Sequence, residues 1–290
     1  KIKMTWQILD AKSNEMRWGR PDYFGRLFDW IIPFKGIIKN KEIPETIYIK
    51  TDYLPRFVNE ILPDISTEFI LISNCSDYSP YVNFKKEHDI IVESPHLKLW
   101  YCRNNLSIHP KMRCIPGGLD SMPEHVVSNL LTKRANVIKH ASNKILCLWR
   151  NREYNDCGKE FITRDKTKEF VLTRPDIFDW INESMDAKAF HDLLSKYKYI
   201  LCPVGNGVDP CPKLFEAIIL KTIPIIIRTI NTRDIYSNEL PAIMVDDFAE
   251  ILEPGFLDKK YAEIEPIIRD DKIMEKLTCE YWANKIKNGK

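Results

Sequence analysis

No stretch of this 290-residue chain approaches the ~20 consecutive apolar residues of a membrane-spanning helix, and its first residues hold no signal-type apolar core. No two of its eight cysteines stand at Cys-x-x-Cys spacing and no histidine cluster accompanies them, which argues against a zinc site. Neither sign of charge prevails. Forty-three lysines and arginines face 41 aspartates and glutamates, too even a balance to point to nucleic acid. Internal repeats and low-complexity tracts are missing too, which removes solenoids and disordered arrays. What is left is an ordinary globular composition, 44% hydrophobic and 29% charged, long enough for one large or two medium domains. Cys147 and Cys202 sit inside apolar runs, the usual place of inert reduced thiols, so a cytoplasmic protein is expected. Asn-x-Ser triplets at Asn74, Asn105 and Asn182 occur as often by chance.

The most informative stretch is 198–228, KYILCPVGNGVDPCPKLFEAIILKTIPIIIR. Residues 199–202 read as a short buried strand closed by Pro203, and 204–210 as a loop whose glycines, Gly205 and Gly207, let backbone approach a ligand closely. Pro212 suits a first helical turn and 213–221 continues it, until Thr222 and Pro224 stop it and 223–227 resumes as a buried β-branched strand. In an open α/β sheet such a loop lies at the carboxyl end of the strands, where ligands bind. A helix start offers unpaired N–H groups to an anion. Lys213 stands in that first turn, where a cation is disfavoured unless something negative faces it, and Glu216, three residues on, shares its side. A diphosphate carrying a ribose would satisfy both residues; a solvated Lys–Glu pair on an ordinary crossover helix would look the same in sequence.

The segment CPVGNGVDPCPKLFEAIILKTIPII resembles the C-terminal motif of exostosin-like glycosyltransferases, and within them the small capsid-glycan enzymes, xylosyltransferases among them, of large algal viruses. The likeness implies a GT-B fold: two Rossmann-like, doubly wound α/β domains facing a cleft, with a C-terminal helix crossing back to the first. It assigns 1–140 to an acceptor-binding domain, 141–270 to a nucleotide-sugar-binding domain and 271–290 to the returning helix. Glu216 then matches the glutamate that holds the donor ribose. Lys213 stands where the family usually has arginine, which turns a forked phosphate contact into a point charge, and Lys221-Thr222 replaces a glycine-containing turn. Trp100, Asn104, His109-Pro110-Lys111 and the Ile115-Pro116-Gly117-Gly118 turn resemble the segment joining the two domains. The implied partners are a UDP-sugar, UDP-xylose first, and a glycan acceptor. A GDP-fucose transferase and a non-catalytic binding module on the same scaffold stay open. Family members of the secretory pathway carry an N-terminal anchor, and no such segment stands in these residues.

Along the chain, 1–33 is aromatic and reads as loops and short helices on the first domain. Strands are expected at 46–50, 68–73, 89–93 and 111–115 and a helix at 54–62; 124–143 reads as a helix and connector. The second domain is expected to open with a strand at 145–149, followed by strands at 169–172, 199–202, 223–227 and 243–245, a helix at 187–195 and helical spacing over 261–287.

Polar residues following these strands make up the expected site. Arg150 and Arg152, beyond the first strand of the second domain, offer planar two-pronged binding to the leaving diphosphate, although either can pair with Glu153 instead. Arg174 is expected at the base or ribose, with a salt bridge to Asp176 as the alternative, and Asn206 and Asp209 are ligand contacts or mere turn residues. Sugar transfer with inversion needs a base from the other domain; Asp77, after the second strand, is the first choice, with an Asx-turn as its alternative. Asp52 and His96 follow as acceptor-side candidates. The chain contains no Asp-x-Asp pair, the usual metal grip of the other main glycosyltransferase fold, so no metal or other cofactor is expected and Lys213 with arginine carries the charge.

Overall fold

The protein is described here by a computed structural model covering residues 23–119, 122–137, 142–150, 164–237 and 239–289. Its first sheet comprises β1 (Trp30–Ile32), β2 (Ile38–Lys39), β3 (Thr46–Lys50), β4 (Phe69–Asn74), β5 (Leu97–Cys102) and β6 (Met112–Cys114), in the order β2-β1-β3-β4-β5-β6. Only the β1–β2 pair is antiparallel. The helical turns α1 (Leu54–Arg56) and α2 (Pro80–Asn83) and the helix α3 (Lys85–Glu93) connect these strands, and α4 (Glu124–Ala135) leads to the second lobe. There β7 (Ser142–Cys147), β8 (Phe178–Trp180), β9 (Tyr197–Leu201), β10 (Ile223–Ile227) and β11 (Ile243–Val245) form an all-parallel sheet. Its helices are α5 (Arg164–Leu172), α6 (Ala187–Leu194), α7 (Lys213–Ile219), α8 (Ile230–Tyr236) and α9 (Phe256–Arg269); α10 (Cys279–Lys287) follows. Two mainly parallel sheets clothed by helices are the α/β architecture expected.

Why the strands are strands is plain in β4 and β10, FILISN and IPIII, every residue of which is buried. A parallel strand covered on both faces has no solvent side for polar residues. Two expected strands are helices instead. DIIVE lies in α3, where His88, Ile91 and Val92 face inward and Ile90 is left 42% exposed; Lys85 supports Asp89 one turn on. Residues 169–172 belong to α5, which buries Thr167 and Val171 at i, i+4 spacing and exposes Leu172. A short apolar run has no period of its own to separate the two forms.

Phe24 and Phe28, from the aromatic N-terminal stretch, are core residues packed on Tyr48. On this same side α10 returns to the first lobe: Tyr23 Oη donates to Glu280 Oε1 at 2.6 Å, and Lys287 Nζ stands 5.9 Å from the Phe28 ring centre. Glu239, at the end of α8, accepts from Tyr281 and Lys285 of the same helix, which ties it to the second lobe as well. The expected break near residue 140 lies outside the described residues, as do Trp6 and Trp18. Among the described residues no helix is long and apolar enough to cross a membrane.

Candidate active site

The second sheet runs β11-β10-β9-β7-β8, so its order reverses between β7 and β9. The loops leaving those two strands diverge at their carboxyl ends and open a crevice, the usual ligand position in such sheets. The first lobe closes the other side. The resulting cleft has a volume of about 560 Å³, within the common range for small-ligand sites, and is lined by Asp77 and Arg103 from one lobe and Arg150, Lys213 and Glu216 from the other. A second hollow, of about 690 Å³, lies at the outer edge of the second lobe, between β11 and α9. Among its charges, Arg228 pairs with Asp246 and Lys276 with Glu239.

Glu216 is 5% exposed, and its Oε2, buried in the cleft wall, has no hydrogen-bond partner. The nearest base, His191 Nε2 on α6, stands 3.7 Å away, beyond bonding distance. An unmet carboxyl oxygen in low dielectric is costly, so this position is set for a donor from outside the chain. One turn earlier, Lys213 Nζ donates to the Leu148 carbonyl at the exit of β7 and lies 5.5 Å from the Phe190 ring centre. Burial lowers its pKa, opposed by the nearby Cys211, Cys202 and Glu216. Only one of three ammonium protons is committed to Leu148, so the group can still meet an anion in the cleft.

The glycine loop differs from its expected use. Its stem is closed by a bridge between Val204 and Pro210. A Cβ at Gly205 would come 2.9 Å from Arg164 Nη2, and one at Gly207 would come 2.5 Å from Asn104 Oδ1. These positions admit close approach, but by the protein's own side chains. The helix start is likewise occupied from within: the N–H groups of Leu214, Phe215 and Glu216 donate to the carbonyls of Cys211 and Pro212. The unpaired N–H groups expected there are not present at those three residues, and any anion must be held by side chains.

Asp209 is the clearest departure. Its Oδ2 accepts from Gly117 N at 2.9 Å and lies 3.4 Å from Arg103 Nε, while its Oδ1 accepts from Asn231 Nδ2 at 3.2 Å. Burial raises its pKa, with Arg103 opposing. Both oxygens are engaged inside the protein, so Asp209 joins the lobes, while the residue also lines the cleft with Gly205, Asn206 and Gly207. Asn104 completes the seam. Held at φ 58°, a left-handed conformation asparagine tolerates, it accepts from Asp209 N at 2.8 Å and donates to Ser76 O at 3.0 Å. Asn105 N adds a bond to Asn231 Oδ1 at 3.1 Å.

No family model and no curated protein matches the chain. Among solved structures it is similar to the spinosyn forosaminyltransferase SpnP, at 9% identity and a TM-score of 0.37, over 84% of this chain and 76% of that one. The chemistry of the cleft therefore rests on its own residues.

Asp77 reaches it, with Asn206 Nδ2 3.5 Å from its Oδ2, so the first-choice base touches the glycine loop across the gap. Arg150 lies at the exposed rim, donating to Ser184 Oγ at 2.5 Å. Arg152 is outside the described residues. Arg174 is not brought in: it follows α5, at the amino end of β8, and pairs with Asp176 at 2.7 Å. His96 follows α3 and precedes β5, so it too stands at the amino ends of the strands. In both cases a helix replaces an expected strand, which reverses the end of the sheet at which the next loop emerges. Asp52 follows β3 but pairs with Lys50 at 3.0 Å and does not line the cleft. Arg164 is a residue the sequence reading lacked. Its guanidinium donates to Val204 O at 3.2 Å and Arg150 O at 3.0 Å, pinning the glycine loop to the β7 exit. Its position at the start of a run of charges gave no local sign of that. Among the described residues no three His, Cys, Asp or Glu side chains gather as a metal-ligand set.

Proposed function

We propose that the chain is a glycosyltransferase that moves a sugar, xylose first, from a UDP-sugar to a glycan hydroxyl. The observation that carries this reading is the buried Glu216 oxygen without a donor, opening on an inter-lobe cleft one helical turn from the Lys213 ammonium. A ribose diol supplies hydroxyl donors to Glu216, and the attached diphosphate meets Lys213, with Arg150 at the rim. Two linked phosphates and a diol are what a nucleotide sugar presents and a free sugar lacks.

In the transfer itself, the acceptor oxygen attacks the anomeric carbon as the bond to the diphosphate oxygen breaks, and the acceptor proton passes to Asp77. Attack opposite the leaving group inverts that carbon. The departing charge is balanced by Lys213 and Arg150, so turnover is expected to survive EDTA. A donor-hydrolysis panel of UDP- and GDP-sugars tests the reading together with Asp77→Asn. The expected result is turnover of one UDP-sugar, lost in the variant while nucleotide binding persists. Preference for GDP-fucose would replace the donor, strict manganese dependence would overturn the charge assignment, and binding without turnover in the parent would make the chain a binding module.

A further inference from the structure

Helix α6 turns Phe190, His191 and Leu194 inward, and the first two of these meet the start of α7. Phe190 lies under the Lys213 ammonium, and His191 lies beside Glu216. A histidine on an apolar helix face is ordinarily a core residue whose ring nitrogens are bonded. His191 departs from that pattern. It is 4% exposed, yet its Nε2 atom is buried without a hydrogen-bond partner, 3.7 Å from the equally unmet Oε2 of Glu216. Each atom is of the kind that would suit the other, and they still stand beyond bonding distance. Two unmet polar atoms facing one another in a cleft wall are costly, and a single group that meets both removes the cost of both.

We propose that His191 and Glu216 together hold one hydroxyl of the donor's ribose, which makes His191 a specificity residue for ribonucleotides over deoxyribonucleotides. The inference rests on the nucleotide-sugar reading of the cleft and adds to it a second residue and a choice of pentose. A hydroxyl oxygen can stand ~2.8 Å from both atoms when they are 3.7 Å apart. Its proton goes to the Glu216 carboxylate oxygen, and one of its lone pairs accepts the imidazole Nε2–H. This match fixes the ring tautomer, because a hydroxyl has a single proton and cannot donate to both partners. The second ribose hydroxyl is left to Oε1 of the same carboxylate. A nucleotide lacking the bridging hydroxyl leaves two buried polar atoms unpaired, and a site of that kind rejects the analogue strongly. A carboxylate alone would accept from either hydroxyl and discriminate less; the directional N–H of His191 is what ties the site to one of them.

The test is calorimetric titration of the full chain with UDP and its two deoxy analogues, one lacking each ribose hydroxyl. It is repeated on His191→Phe, which keeps a ring without the N–H, and on His191→Gln, which returns an N–H to about the same place. His191→Leu stands in if the ring variant does not fold. In the parent, one of the two deoxy nucleotides should bind about ten- to a hundred-fold more weakly than UDP. In His191→Phe that ratio should shrink by about two- to ten-fold, and His191→Gln should restore most of it. A merely structural histidine would weaken all three nucleotides together and leave the ratio unchanged, which would overturn the proposal. Equal binding of UDP and both analogues by the parent would overturn it without any variant. The two readings fail separately. No binding of UDP would remove the nucleotide reading itself, whereas a ribose preference undiminished in His191→Phe would remove the role of His191 and leave that reading in place.

Discussion

Glu216→Gln sets folding against binding and gives the sharpest test of the cleft. In the free protein the Glu216 Oε2 atom is buried and lacks a hydrogen-bond partner, and the side chain is 7% exposed. The amide still leaves one polar atom unmet at that place, but it exchanges a buried carboxyl group that can carry a charge for a neutral one whose desolvation costs less, a relief of about 1–3 kcal/mol. The amide keeps the shape, so no cavity offsets the gain. For a chain of this size the melting midpoint should rise by roughly 2–6 °C. Nucleotide binding should move the other way. A hydrogen bond to an ionised carboxyl group is about twice as strong as one to an amide oxygen, so UDP affinity should fall about ten-fold or more. Thermal melts with and without UDP, together with calorimetric titration, read both effects on one sample. A variant less stable than its parent that binds UDP equally well would show that Glu216 serves the fold, and the ribose assignment would go with it.

Lys213→Ala should weaken UDP and pyrophosphate alike, by about 1.5–3 kcal/mol or some ten- to a hundred-fold in titration, because a charge-assisted contact is lost. Unchanged affinity would remove the phosphate assignment. Gly207→Ala would drive a methyl group to 2.5 Å from Asn104 Oδ1, so the seam must open or shift. A loss of about 1–3 kcal/mol in chemical denaturation is expected, with Gly36→Ala, which meets nothing within 4 Å but stands at φ +72°, as the control for strain alone. At Glu239 burial alone would raise the pKa, but hydrogen bonds from Lys285, Tyr281 and Lys276 hold it down to about 2. A depressed folded value contributes stability above the unfolded pKa of 4.5 and loses it as pH falls through about 2. Glu239→Gln should therefore cost about 1–2 kcal/mol at pH 7, less than the full shift because water screens these partly open pairs, and progressively less from pH 5 down to pH 2, read from denaturation curves across that range.

Much of the second lobe was legible because its inner strands are largely apolar: IPIII is buried throughout and IMV buries Ile243 and Val245, a pattern that suits a parallel strand covered on both faces. The misread runs were those in which a few apolar residues stand together without a period. DIIVE buries two of its three aliphatic residues as a helix, and the third, Ile90, is simply left in water. That substitution then misplaced His96, because polarity at a sheet edge depends on every preceding element. Glu216 and Lys213 were found through local logic, a cation where the helix start disfavours one. Asp209 and the glycines do line the cleft, but their contacts inside the protein, with Arg103, Gly117, Asn104 and Arg164, were not read from the sequence. Asp209 N meets Asn104 Oδ1 across 105 residues, and nothing in either neighbourhood announces the other. Pairings of that reach belong to the folded chain alone.

The route of α10 bears on how this protein comes off the ribosome. Tyr23 and Glu280 are bonded across a separation of 257 residues, and Lys287 covers Phe28, a phenylalanine translated well before it. The early sheet therefore emerges with Phe28 waiting for a cover that is translated some 250 residues later. At elongation speeds of ~5–20 residues per second that interval is on the order of tens of seconds, a window in which a chaperone or a neighbouring nascent chain has the first opportunity to bind the bare aromatic face.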